Sequence, residues 1–179
     1  VEAAAQVFDR HGHAAGTTNR IAERAGVPIG TLYQYFANKD AVLTAVFDRH
    51  FAEGAAVVAP AVARLRDEPA ADPEPLLREI LDAMVRLHAR EPNLHRLLFE
   101  EAPLAPELRR RITDLESAIA VEVAAWLRRR GVSGDPSTTA WIIVNAIEAL
   151  THRWVIQPGA RGDDRAFVGD AALLIAASL

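Results

Sequence analysis

The sequence predicts an all-α protein, and three observations carry that reading. Apolar residues recur at helical spacing, beginning with Val1, Ala4, Ala5 and Phe8, and strand-like alternation is absent. Ala, Leu, Arg and Glu dominate, all good helix formers. Breaks at 12–17, 26–28, 68–75, 92, 103–106, 131–136 and 157–162 then leave about nine or ten helices, since glycine and proline clusters interrupt the helical backbone. The firmest break is 68–75, where Pro69, Pro73 and Pro75 cannot continue a helix.

A length of 179 residues suits one domain, or a small module followed by a larger one. Half of the chain is hydrophobic, enough for a core and too much for a disordered tail. The absence of cysteine excludes disulfides, thiolate metal sites and Cys nucleophiles. No apolar run reaches the ~18 residues of a membrane span, and no basic start precedes an apolar signal core. The expectation is a soluble, cytoplasmic protein without membrane contact. The chain starts inside a helical pattern and lacks an initial Met, so native residues are expected before Val1. The net charge is −4, with five basic and five acidic residues in 1–51 and 15 against 19 beyond. Any phosphate binding therefore depends on placement rather than on bulk charge. Lys39 is the one lysine among 20 basic residues.

The first helix ends near His11, with Gly12 as its expected left-handed stop. Thr17 is placed to cap the second helix, which turns Ile21 and Ala22 inward and stops at Gly26. A third helix follows the short 26–28 turn at once, and Pro28 is compatible with its start because the N–H it lacks has no helical partner. Leu32 and Phe36, four apart, face a small core with Phe8, Ile21 and Val27. Asn38 then caps a longer fourth helix. Three short helices with a tight glycine turn between the second and third form a helix-turn-helix, whose second member can enter a DNA major groove.

The outward face of the third helix is the informative part. Ile29, Gly30, Thr31, Tyr33, Gln34 and Tyr35 remain once Leu32 and Phe36 turn inward, and none is charged. Such a face is poor against water and suits a partner surface. Ile29 fits a thymine methyl, Thr31 a base edge or phosphate, and Gln34 a bidentate pair with adenine. Gly30 costs about 1 kcal/mol of helix stability and leaves room for another backbone. Tyr33 and Tyr35 carry hydroxyls with the reach for phosphate oxygens. Thr18 and Arg20 sit in the first turn of the second helix, where its dipole favours a phosphate. Lys39 adds a cation at the start of the fourth.

Taken together, Ala3-Ala-Ala-Gln-Val-Phe-Asp-Arg-His-Gly12, Thr17-Thr-Asn-Arg-Ile-Ala-Glu-Arg-Ala-Gly-Val27, Gly30-Thr-Leu-Tyr-Gln-Tyr-Phe36 and Asn38-Lys-Asp40 resemble the TetR family of bacterial transcriptional regulators. The resemblance covers the first quarter of the chain. Pro28 stands where the family usually has a capping serine, so that hydroxyl's phosphate contact is lost, and Ala37 replaces a usual proline. The resemblance implies two regions: a DNA-binding domain over 1–50 and a larger helical domain over 51–179 that dimerises and binds a small ligand.

Beyond residue 50 the residues must speak for themselves. The 137–157 segment carries Trp141, Ile142, Ile143, Val144, Ala146, Ile147, Leu150, Trp154 and Val155, apolar around most of its circumference. The 165–179 segment places Phe167, Val168, Ala171, Leu174 and Ile175 on one side, with Leu173 and Ala177 elsewhere. Two such helices, doubled by a twofold axis, would form a four-helix homodimer interface. A second copy also suits a palindromic operator, whose half-sites lie about 34–36 Å apart. Polar or bulky residues within apolar helices are the pocket candidates: Asn145, Glu148 and His152 on one face, Trp141 beside them, Met84 and His88 one turn apart, and Trp126. The alternative for these is a solvated stripe or plain core packing.

No two of the histidines at 11, 13, 50, 88, 95 and 152 stand four apart, as a helical metal pair joined by a carboxylate ligand needs, and a shared face for His88 and His95, seven apart across the Pro92 break, is a coincidence until a metal is seen. No HExxH, GxSxG or phosphate-cradling motif appears, so neither a metal, a cofactor nor an enzyme is expected. The 128–130 arginine triplet closes a helix before Gly131, where cations complement the negative helix end, and a second triplet occupies 109–111. The expected function is a repressor released from a palindromic operator by a small, largely apolar effector whose binding tilts the fourth helix. A protein-interaction module reading through the tyrosine-rich helix, or a helical enzyme with a vestigial head, is the rival.

Overall fold

The computed structural model describes all residues except 69, 102–104, 158 and 160–161. The breaks expected at Pro69, at Pro103 and within 157–162 rest partly on residues outside that description. The described residues hold nine α-helices and one π-helical turn, with no strand among them. They are α1 (Glu2–Ala15), α2 (Thr18–Ala25), α3 (Ile29–Tyr35), α4 (Lys39–Asp67), α5 (Pro73–Arg90), α6 (Pro92–Arg96), the π turn Leu97–Glu101, α7 (Pro106–Arg130), α8 (Pro136–Ile156) and α9 (Asp164–Ala176). The chain divides into two compact units, Val1–Glu53 with Ala89–Leu104, and Gly54–His88 with Ala105–Leu179.

In the first unit the first helical run stops at Gly12 as expected, where φ 68° and ψ 179° are non-helical, and one further turn follows as far as Ala15. The Gly16 N–H closes that turn on the Gly12 carbonyl at 3.0 Å. Gly16 is also held to glycine by packing, because a Cβ there would lie 2.6 Å from the Phe8 ring. The Thr17 hydroxyl accepts from the Arg20 N–H at 3.4 Å and caps α2, which Gly26 closes in the left-handed conformation at φ 69°. Pro28 precedes α3, and Phe36 ends it in an extended conformation, half-buried. The Asn38 side chain accepts from the Ala41 N–H at 2.8 Å and starts α4.

The core of this unit is built from Phe8, Ile21, Leu32, Val46 and Phe47, joined by Leu94, Leu97 and Leu98 from the returning segment. Asp9 anchors that segment by accepting the Leu94 N–H at 2.9 Å. Arg49 bonds the carboxylates of both Glu2 and Glu91. Burial raises the Glu91 pKa despite that guanidinium, so desolvation outweighs the ion pair.

In the second unit α7 and α8 pack along one another. Asp135 caps α8 by accepting from the Ser137 and Thr138 N–H groups, and Asp163 caps α9 through Arg165 N–H. Trp154 donates to Asp164 at 2.8 Å and stacks on Phe167, with centroids 4.3 Å apart. The arginines of the 128–130 triplet are all engaged: Arg128 bonds Ser137, Arg129 the Leu65 carbonyl, and Arg130 the Ala71 carbonyl while lying over Trp126. One expectation fails at α9. Val168, Ala171 and Ile175 are buried, whereas Leu174 is 73% exposed. Three positions on from Ala171, it falls at the margin of the apolar arc and points outward beside Leu173.

Candidate nucleic-acid interface

The seven residues of α3 divide cleanly. Leu32 is 7% exposed and serves the core, while Ile29, Tyr33 and Tyr35 are 38, 51 and 77% exposed. Gly30 and Gln34 are exposed too, and Thr31 is half-buried. A Cβ at Gly30 would meet nothing within 4 Å, so the space beside it is open. The Tyr33 hydroxyl lies 3.1 Å from the Thr18 hydroxyl and ties the middle of α3 to the first turn of α2. That bond restricts the Tyr33 ring before any partner arrives and leaves both hydroxyls at the surface. Lys39 is less free than its sequence position suggests. Its ammonium donates to the His13 carbonyl at 2.7 Å, which leaves two N–H groups for other acceptors.

Arg20 opens onto a feature that sequence reasoning missed. With Gln6, Val7, Arg10, His11, Glu23 and Arg24 it lines a groove of about 570 Å³. Arg49, Arg90 and Arg96 of the same unit each meet a carboxylate. Among the described residues no ion pair reaches Arg10, Arg20 or Arg24. The spacing of Arg20 and Arg24 on one face of α2 was a legible hint, but nothing in the sequence aligned Arg10 of α1 with them.

The pocket candidates lie in the second unit and spread over three helices. Trp126 and His88 are buried, at 3% and 4% exposure. Met84, Asn145, Glu148 and His152 are half-buried, and Trp141 is exposed. Asn145 donates to the Trp141 carbonyl within its own helix. Burial raises the Glu148 pKa, and the carboxylate of Glu116 on α7 raises it further. The indole nitrogen of Trp126 is buried without a hydrogen-bond partner.

An uncharged helix presented at the surface behind a capped, tightly turned partner defines a helix-turn-helix DNA-binding protein. Residues 1–46 match the family described as "Bacterial regulatory proteins, tetR family". Residues 72–179 match that described as "Tetracyclin repressor-like, C-terminal domain". An uncharacterized HTH-type transcriptional regulator of Mycobacterium tuberculosis is 29% identical over 169 residues, 92% of this chain and 69% of that protein. The solved structure of PfmR, a TetR family regulator from Thermus thermophilus, is similar with a TM-score of 0.72 and 22% identity, covering 99% of this chain and 97% of that one. FadR of Bacillus subtilis, in complex with stearoyl-CoA, gives 0.67 and 21% identity over 99% and 96%. The fatty acid degradation regulator FadR of Bacillus halodurans gives 0.65 and 24% over 99% and 96%. The chain belongs to the TetR family of bacterial transcriptional regulators. It is a DNA-binding regulator from a family without enzymatic activity, and the rival reading as an enzyme falls with that assignment. No described helix is long and apolar enough to cross a membrane.

Proposed function

We propose that this regulator is a homodimeric repressor that seats α3 in the major groove of a palindromic operator and leaves when a small, largely apolar effector binds its second unit. The observation that carries the DNA half is the bare face of α3, where two tyrosines, an isoleucine and a glutamine meet solvent without a charge among them. Gln34 reads a base edge, Ile29 meets a thymine methyl, and Gly30 admits the DNA closely. Thr18, Arg20, Thr31, Tyr33, Tyr35 and Lys39 hold phosphates, which fix register without reading sequence.

The dimer half is supported by α8 and α9, which expose Trp141, Ile142, Leu150, Leu173 and Leu174. The domains proposed are residues 1–50 for DNA and 51–179 for effector and dimer. The chain passes between its compact units inside α4, at Glu53 and Gly54. An effector that prefers the setting of α4 incompatible with DNA, by about 2.7 kcal/mol, lowers operator affinity up to about 100-fold. Met84, His88, Trp126, Trp141, Asn145, Glu148 and His152 are the proposed lining. The stearoyl-CoA of the Bacillus subtilis regulator makes long acyl chains the first effector class to try.

Footprinting on the promoter beside its own gene tests the reading. Protection of a two-part palindrome, relieved by an acyl-chain ligand, is expected. Unprotected DNA overturns the operator reading, and protection that no apolar ligand relieves overturns the effector reading.

A further inference from the structure

The first unit buries two imidazoles against each other, a feature the DNA-reading face does not use. His50 on α4 and His95 on α6 are 6% and 1% exposed. They stand 45 positions apart in the chain, yet His50 Nε2 lies 3.0 Å from His95 Nδ1. Their rings, 5.1 Å apart between centroids, are tilted by 48°, so they converge edge-on instead of stacking. Phe99 closes the surroundings, 4.6 Å from the His95 ring and 5.9 Å from that of His50, and Phe47 packs on Phe99 in turn.

Two apolar side chains of similar volume would fill this space without the cost of burying four ring nitrogens. Converging buried nitrogens have another use. Imidazole is the ligand that zinc, nickel and copper share, and metal–nitrogen bonds of about 2.0–2.1 Å set at a tetrahedral angle place the two nitrogens about 3.3–3.4 Å apart. The observed pair needs to open by only a few tenths of an ångström. Ligation also balances in protons. The hydrogen shared between the facing nitrogens moves to the far nitrogen of the ring that donates it, the other ring keeps its own there, and both rings stay neutral.

We propose that His50 and His95 ligate a divalent transition ion of the zinc class, which would cross-link α4 to α6 within the first unit. The two imidazoles supply two cis positions, and other donors complete the shell. The ion then stabilises the unit that carries α3, independently of any operator or effector.

The test uses the full chain, stripped with a chelator and titrated with Co2+ or Zn2+ alone. One equivalent of Co2+ per chain is expected, with the visible ligand-field bands of an imidazole-bound ion, and Zn2+ should displace it and raise Tm. His50→Gln and His95→Gln should each weaken Zn2+ binding at least tenfold, while His11→Ala on the exposed end of α1 should leave it unchanged. Should those variants fail to fold, 15N spectra of the wild-type imidazoles carry the test. Zn2+ should shift His50 Nε2 and His95 Nδ1 selectively. Failure to take up a stoichiometric ion, shifts confined to the exposed histidines, or binding undiminished in both folded variants would overturn the assignment.

Discussion

Two exposed apolar surfaces on this chain differ in a way that separates their partners. On α3, each large exposed side chain except Ile29 ends in a polar atom: the hydroxyls of Tyr33 and Tyr35 and the amide of Gln34. On α8 and α9, the exposed Trp141, Ile142, Leu150, Leu173 and Leu174 end in carbon or in an indole. A surface that carries polar tips on apolar stems suits a partner that mixes both, as base edges, thymine methyls and phosphates do. A surface made almost wholly of carbon suits another such surface, as in the core of a homodimer interface. Exposure by itself separates neither; the proposed assignment of α3 to DNA and of α8 and α9 to a second copy rests on the chemistry at the tips.

The comparison breaks most visibly at α9. Replacing Leu173 and Leu174 together by Asp buries charge in the proposed interface, where a hot-spot residue is worth about 2 kcal/mol or more. Sedimentation should show the dimer dissociation constant raised at least 30-fold, with operator affinity falling alongside. A double variant that stays dimeric places the interface elsewhere.

Next comes the discriminating power of α3. Tyr33→Phe removes the hydroxyl that meets Thr18 and, in the proposed complex, a phosphate. A neutral hydrogen bond nets about 1 kcal/mol, so operator affinity should fall roughly fivefold at every sequence alike. A gel-shift titration that finds a loss confined to one operator position would falsify the phosphate role of that hydroxyl.

The arginine groove sharpens the same contrast, because it sits on the charged flank of the reading unit. If Arg10 and Arg24 meet flanking phosphates, Arg24→Ala should flatten the slope of log affinity against log salt by about one unit. An unchanged slope from 50 to 200 mM salt would remove Arg24 from the phosphate contacts.

The smallest effect is expected at Glu148. Its pKa is raised by burial and by Glu116, itself raised by burial, so the folded chain holds protons that the unfolded chain has released. Stability from this pair is therefore present in acid and declines as pH rises past the ordinary glutamate value near 4.5. Glu148→Gln should make Tm fall less steeply over that window. A variant with a Tm profile parallel to the wild type removes the coupling.

The helix-turn-helix was legible because each of its parts is local. Thr17, Gly26, Pro28 and Asn38 act on backbone groups a few residues away, and Leu32 against its exposed neighbours follows from a single helical period. Gly12 stops its helical run with a positive φ, as its local sequence suggests, while the extra turn that the Gly16 N–H closes was not legible there. The misreading came where a local signal meets tertiary packing. Leu174 sat at the edge of an apolar arc, and only the packing of α9 decides which side of that edge faces solvent. Arg10 beside Arg20, and His50 against His95, depend on chain segments that no spacing rule connects.

The most direct measurement of the central claim is a selection of operator variants by the wild type and by Gln34→Ala, read one base pair at a time. If α3 lies in the major groove with its uncharged face to the bases, the variant should lose about 1–3 kcal/mol of preference at one position in each half-site and keep the rest. An identical preference at all positions, or a uniform loss across them, would contradict it.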